Sequence, residues 1–190
     1  MHRIYLAIVA IIILSGCTSY PIKDLESKSV NLINAINEKE IVSRFKGSDS
    51  RLKKLKFLKV ELTTKENLAL FTEGRTVPYK PNAFFCDEPK SWVILNWPSL
   101  YWKGFNISEY GARPPPGLTR HKPGKYTYYT YLWVSHSTKV SSYKHFDLES
   151  NPMDICIKLI AREPAKLIPQ AVRKSNTVLI PKEAVRKSFQ

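Results

Sequence analysis

Apolar side chains recur at every second position in two long stretches of the chain, which is the pattern of a half-buried β-strand. In "KFLKVELTT" (56–64), Leu58, Val60 and Leu62 fall on one face, with Lys59 and Glu61 on the other. The stretch "GKYTYYTYLWVSH" (124–136) alternates in the same way. One face carries Tyr126, Tyr128, Thr130, Leu132 and Val134, and the other carries Thr127, Tyr129, Tyr131, Trp133 and Ser135. Both stretches therefore predict strands.

Four further segments have the short, β-branched or aromatic character of strands. They are "NLALFTEG" (67–74), "SWVILNW" (91–97), residues 154–161 with Cys156, Ile157, Leu159 and Ile160, and "NTVLIP" (176–181). Short strands separated by turn residues are typical of an all-β sandwich. Lys-Pro-Gly before the aromatic strand resembles the entry into a late strand of immunoglobulin-like domains, where Tyr126 or Tyr128 would form the tyrosine corner, although the usual Cys-Trp-Cys spacing is missing. We therefore expect a mainly β protein, an Ig-like β-sandwich.

Residues 24–45 have a helical period instead. Val30, Ile33, Asn37, Ile41 and Phe45 recur at spacings of three and four, Asp24 can cap the helix, and Gly47 to Ser50 break the pattern. We expect an N-terminal helix here, followed by a linker. The predicted organisation is a signal peptide (1–16), a lipid anchor, tether and helix (17–50), a β-sandwich domain (51–163) and a basic C-terminal segment with a last strand (164–190).

The first 16 residues have the pattern of a secretory signal peptide: Arg3 precedes an apolar run, Ile4 to Leu14, that is about eleven residues long and too short to span a bilayer. Leu14-Ser15-Gly16-Cys17 resembles the bacterial lipobox. That resemblance implies cleavage before Cys17, three acyl chains on this cysteine and stable anchoring in a lipid bilayer. Thr18, where an Asp would favour the inner membrane, points to the outer membrane, facing the periplasm. The alternative is a buried N-terminal helix that happens to contain a cysteine.

The chain of 190 residues has a formal charge of +14. Loss of residues 1–16 would remove only Arg3 and leave about +13. Exported proteins rarely meet nucleic acid, so we expect no nucleic-acid partner. Anionic head groups, an acidic protein, or no particular partner remain as explanations of the charge.

Two cysteines remain beside Cys17. Cys86 and Cys156 lie in neither a CxxC pair nor a ligand-like neighbourhood, so in an oxidising compartment they predict one disulfide. The loop between them, about 70 residues, would contribute roughly 4 kcal/mol in the chain-entropy description.

Residues 92–117 combine aromatic side chains with proline and two cations, Lys103 and Arg113. Tyr, Trp and Arg are the residue types enriched at interface hot spots. The predicted partner-binding residues are Tyr101, Trp102, Phe105, Tyr110 and Arg113. Two alternatives stay open: Trp92, Trp97 and Trp102 face the core, or the stretch contacts carbohydrate or lipid.

Catalytic and metal-binding motifs are missing from the sequence. His121, His136 and His145 have no GxSxG, HExxH or phosphate-binding glycine loop around them. We therefore expect a protein without enzymatic activity, cofactor or metal.

The order of lipobox, β-rich domain, "KPGKYTYY" and the late cysteine strand "DICIKLIA" resembles small enterobacterial lipoproteins classed as type VI secretion immunity proteins. The likeness covers residues 55–162. It implies a periplasmic, Ig-like protein that neutralises an incoming toxin by binding it. The 24–45 segment and the tail after Pro164 depart from it, and no site residues carry over. Alternatives are a structural lipoprotein of a secretion or conjugation apparatus, and a lipid-handling or enzymatic lipoprotein.

Overall fold

The computed structural model describes residues 22–44, 52–68, 78–88, 95, 99–109, 124–136, 145–162 and 172–190. These residues form a mainly β structure with antiparallel sheets, as a β-sandwich has. The strands, in chain order, are β1 (Glu26–Asn34), β2 (Lys56–Thr64), β3 (Lys80–Phe85), β4 (Tyr101–Trp102), β5 (Phe105–Asn106), β6 (Tyr126–Trp133), β7 (Ser135–His136), β8 (Phe146–Asp147), β9 (Ile155–Arg162), β10 (Val172–Lys174) and β11 (Val178–Ile180). A 3₁₀ helix (Ala35–Asn37) and two short helices, α1 (Lys39–Val42) and α2 (Lys182–Lys187), complete the described elements.

The first sheet has the strand order β1-β2-β6-β4-β5. In the second sheet, β9 pairs with β3 on one side and with β10 and then β11 on the other, while β7 and β8 form a separate pair. Leu58 of β2, Leu132 of β6, Ile157 of β9 and Ile180 of β11 are all fully buried in one cluster. The main core therefore joins the inner faces of both sheets.

A second, smaller cluster lies on the other face of the first sheet. Phe57 and Tyr131 are fully buried there together with Ala35, Ile41 and Leu52. Strands β2 and β6 are thus covered on both faces, which explains why their alternating pattern contains few freely exposed positions.

The predicted strands over 56–64, 124–136, 154–161 and 176–181 are confirmed as β2, β6, β9 and β11. The predicted strands over 67–74 and 91–97 fall largely outside the described residues; Asn67, Leu68 and Leu95 are the described members, and all three are buried. The hydroxyl of Tyr128 accepts a hydrogen bond from the Leu68 amide, 60 positions away, at 2.9 Å. The Tyr128 hydroxyl therefore bonds to a distant segment, whereas the hydroxyl of a tyrosine corner bonds to the backbone a few residues upstream.

The helix predicted over 24–45 is wrong for its first half, because residues 26–34 form β1. Val30 and Leu32 pack against the main core, opposite Val60 and Leu58, while Ile33 packs against the second cluster. The apolar positions fit a strand covered on both faces as well as a helix, and pairing with β2 decides between them.

Asp24 does not cap a helix in the structure. Its carboxylate accepts hydrogen bonds from the Thr64 hydroxyl at 2.6 Å and the Lys65 amide at 2.7 Å, and so joins the start of β1 to the end of β2. β1 precedes the predicted boundary at residue 50 and β2 follows it, and the two strands are neighbours in one sheet.

Cys86 and Cys156 form a disulfide, with Cα atoms 5.1 Å apart. The bond links the residue after β3 to its neighbour strand β9, next to the backbone hydrogen bond from Cys86 to Asp154 at 3.0 Å. It thus reinforces a strand pair that is already hydrogen-bonded.

Candidate functional site

The centre of the predicted partner-binding stretch is a tight hairpin. Tyr101 pairs with Asn106 and Trp102 with Phe105, and Tyr101 also pairs with Tyr129 of β6. The two turn residues, Lys103 and Gly104, have φ values of 46° and 84°. Two consecutive residues with positive φ match the twist of a two-residue hairpin turn, for which glycine is suited at the second position.

Tyr101 lies in the core, with only 2% of its surface exposed. Its ring stacks on Tyr129 at 5.4 Å between centroids and meets Tyr131 edge-on at 5.6 Å. Burial raises the pKa of its phenol. Tyr101 is therefore not available as the surface anchor that the sequence predicts, and supports the hairpin from below.

Trp102 and Phe105 are half-buried on the opposite side of the hairpin, where they pack against the main core. Lys103 is exposed, and its Nζ lies 5.0 Å from the Trp102 ring centroid, within cation–π range. We call Trp102, Lys103 and Phe105 the hairpin surface. Tyr110 and Arg113, the other two predicted partner-binding residues, lie outside the described residues.

A network of carboxylates and tyrosines holds the hairpin in place. The Tyr129 hydroxyl donates to Glu40 Oε1 at 2.6 Å and accepts a hydrogen bond from the Gly104 amide at 2.9 Å. A Cβ at Gly104 would lie 3.2 Å from the same Glu40 oxygen, closer than most Cβ contacts. Glycine suits the turn because of its φ, and a Cβ at this position would also require the Glu40 side chain to shift by a few tenths of an ångström.

Glu38 extends this network toward β2. Its Oε2 accepts hydrogen bonds from the Tyr131 hydroxyl at 2.7 Å and from Lys59 Nζ at 2.9 Å. Lys59 Nζ also lies 4.5 Å from the Tyr129 ring centroid. We call Glu38, Glu40, Lys59, Tyr129 and Tyr131 the carboxylate–tyrosine network.

The network keeps its tyrosines protonated. Burial, followed by the hydrogen bonds and negative charges of Glu38 and Glu40, raises the pKa of Tyr129 and Tyr131 well above the usual range. Both phenols thus remain hydrogen-bond donors at any physiological pH. The arrangement orients the hairpin through the Tyr129 hydroxyl, which bonds to both Glu40 and Gly104.

The sequence predictions did not include Glu38 and Glu40, because both fall inside the segment assigned to a long helix. The face of β6 that carries Tyr129 and Tyr131 was identified, but its partners were not. The sequence does contain a signal for this contact. Glu38 and Glu40 are spaced by one residue, as are Tyr129 and Tyr131 on the strand predicted over 124–136, and Lys59 lies on the strand predicted over 56–64.

The remaining candidates give no second site in the described part of the chain. His136 lies in β7 and His145 is exposed before β8, while His121 lies outside the described residues. Among the residues with a described position, no three His, Cys, Asp or Glu side chains are grouped as a metal site would require. None of the helices in these segments has the length and apolar character needed to cross a membrane.

No protein family matches the sequence, and neither a curated protein nor a solved structure matches it.

Proposed function

We propose that this chain is a lipid-anchored periplasmic lipoprotein of the outer membrane that acts as a binding module and neutralises a secreted toxin, as an immunity protein does. The observation that supports a binding role most directly is the hairpin surface. Its turn is held by a hydrogen bond from the Gly104 amide to the Tyr129 hydroxyl and lies close to Glu40, while Lys103 remains exposed and Trp102 and Phe105 remain partly exposed. A surface that is ordered before binding loses little conformational entropy when a partner docks.

Two further features support the compartment. A disulfide is stable in an oxidising environment such as the periplasm, and the structure joins Cys86 to Cys156. Leu14-Ser15-Gly16-Cys17 supplies the lipidation motif. A lipid anchor would concentrate the protein where a toxin acts, and the charge of +14 would speed capture of an acidic partner.

The binding role is tested with Lys103→Glu and Trp102→Ala, and with Lys53→Glu as the matched control, since Lys53 is also exposed but lies before β2. The readouts are the melting temperature and protection of cells against a periplasmic toxin, for which any toxin encoded beside this gene is the first candidate. We expect Lys103→Glu to melt like wild type and to protect poorly, with affinity reduced about 30-fold for a hot-spot residue. Trp102→Ala should lose protection and also melt lower, because Trp102 packs partly on the core.

Full protection by both hairpin variants would contradict this assignment of the binding surface. If the neighbouring genes encode a secretion or conjugation apparatus and this chain copurifies with it, the structural role replaces toxin neutralisation.

The anchor is tested separately by metabolic labelling with palmitate. Wild type should label and fractionate with the outer membrane, whereas Cys17→Ser should not label. Equal labelling of the two proteins would contradict lipidation at Cys17.

A further inference from the structure

The second sheet presents a basic and apolar face to solvent. On its strands, one set of alternate positions is buried in the main core, including Ala83 of β3, Leu159 of β9 and Val178 of β11. The other set points outward. We call these outward side chains the basic sheet face: Lys80, Phe84, Lys158, Ile160, Lys174 and Leu179.

The strand register brings the cations together. Lys80 of β3 and Lys174 of β10 both pair with Ile160 of β9, so the three residues form one row across the sheet. Lys158 lies two positions along β9 on the same face, about 7 Å from that row. Lys80 and Lys174 are exposed, and Lys158 is half-buried.

The next row is apolar. Phe84 and Leu179 flank Cys156 on its two sides, and Leu179 is 55% exposed, the largest value among the exposed apolar side chains of the described residues. Lys158 Nζ lies 5.7 Å from the Phe84 ring centroid, so charge and apolar surface are contiguous.

No acidic residue occupies an outward position on the described parts of these strands. Two carboxyl groups flank β9 in the sequence: Asp154 accepts a hydrogen bond from the Lys182 amide at 2.6 Å, and Glu163 lies outside the described residues. Within the described segments, Lys80, Lys158 and Lys174 make none of the ion pairs. The face therefore suits a ligand surface with negative charge above an apolar layer.

The N-terminal end of the described chain lies beside this sheet. Ile22 forms a parallel bridge with Ser175, the residue after β10, and its carbonyl accepts the Asn176 amide at 2.8 Å. Cys17 is five residues upstream, which the covalent chain can extend to about 17 Å at most. An acyl group on Cys17 would hold Ile22, and with it the end of β10 to which it is bonded, within that distance of the head groups.

We propose that the basic sheet face binds an anionic phospholipid surface. This inference rests on the proposed lipid anchor, because the short tether is what favours a membrane over an acidic protein as the occupant. Lysines attract anionic head groups, and Phe84, Ile160 and Leu179 contribute apolar area at the boundary with the acyl layer.

The test uses the full acylated chain reconstituted in vesicles of phosphatidylcholine, with or without phosphatidylglycerol. A water-soluble amine reagent is applied, and mass spectrometry follows modification of each lysine. We expect Lys80, Lys158 and Lys174 to react about fivefold more slowly on the anionic vesicles, and this protection to disappear at high salt. Lys53 and Lys54 should react equally on both vesicle types. They lie just before β2, whose first residue pairs with Asn34 at the end of β1, whereas Ile22 lies before the start of β1.

The matched variants are Lys80→Glu/Lys174→Glu and Lys53→Glu/Lys54→Glu, which change the net charge equally. Only the first should remove the protection of Lys158. If Lys158 reacts alike on both vesicle types in the wild-type chain, the proposal is overturned. If soluble polyglutamate protects the face and anionic vesicles do not, an acidic protein is the occupant and the membrane proposal is also overturned. Palmitate labelling reports on the anchor independently, so a labelled chain with an unprotected face rejects this inference alone.

Discussion

Removal of one hydroxyl group, in Tyr131→Phe, measures how strongly the carboxylate–tyrosine network holds the first sheet to the segment after β1. The Tyr131 side chain is fully buried, and its hydroxyl donates to Glu38 at 2.7 Å. Phenylalanine keeps the ring and its edge contact with Phe57 at 6.3 Å, so the change creates almost no cavity. The loss is therefore that of a hydrogen bond to an ionised group.

Hydrogen bonds to charged groups contribute about 1.5–3 kcal/mol to stability. Glu38 would keep its second partner, Lys59 at 2.9 Å, and so would not become an unpaired buried charge. We therefore expect the lower half of that range, about 1.5–2 kcal/mol of unfolding free energy. Urea denaturation at pH 7 measures it.

A double-mutant cycle with Glu38→Gln isolates the pair. If the bond is charge-assisted, the two substitutions together should cost about 1 kcal/mol less than the sum of their separate costs. Lys56→Met is the matched control, because it breaks the exposed pair of Lys56 and Glu149 at 3.2 Å, and exposed pairs contribute less than about 1 kcal/mol. A Tyr131→Phe protein as stable as wild type, or strictly additive costs, would refute this account of the network.

Variants at three further places test other parts of the fold. Cys86→Ala/Cys156→Ala should lower the unfolding free energy by roughly 4 kcal/mol, and two free thiols in the unreduced, unfolded wild-type protein would contradict the disulfide. Burial alone would raise the pKa of Asp24, but hydrogen bonds from the Thr64 hydroxyl and the Lys65 amide outweigh it and hold that pKa below its ordinary value of 3.8. Asp24 therefore stabilises the fold above pH 3.8, and this contribution is lost as the pH falls through the lowered pKa. In an acid titration of unfolding free energy, Asp24→Asn should lose less stability than wild type over this pH range. Gly104→Ala should cost about 1–2 kcal/mol because of the positive φ, whereas Gly104→Asn should cost less in thermal denaturation, since asparagine tolerates this conformation better.

Alternation along the chain was sufficient to predict the strands that pair in register with a long neighbour. β2 and β6 each carry eight or more alternating residues, and the structure pairs them from Phe57 opposite Trp133 to Thr64 opposite Tyr126. β1 could not be predicted in this way. Its apolar residues at 30, 32 and 33 serve two different clusters, and such a pattern fits a helix as well as a doubly covered strand.

The geometry of the hairpin could not be predicted from the sequence. Residues 101–106 form a hairpin, but composition cannot tell the buried Tyr101 from the half-buried Trp102 beside it, because adjacent residues of a strand point to opposite faces. The carboxylate–tyrosine network joins residues about 90 positions apart, and no local pattern encodes such a contact. The basic sheet face could not be predicted for the same reason, since Lys80 and Lys174 become neighbours only through the register with β9.

The junction of Ile22 and Leu25 with Ser175 and Asn176 also constrains the order of folding. The Asn176 side chain donates to the Leu25 carbonyl at 2.8 Å and accepts from the Leu25 amide at 3.0 Å, across 151 positions of sequence. Ile22 and Leu25 therefore gain these contacts only after residue 176 has been synthesised. Contacts of such long range slow folding, whereas β1 can pair with β2 as soon as residue 64 has been synthesised. The C-terminal segment therefore fastens the start of a sheet whose first strand pair can already be in place.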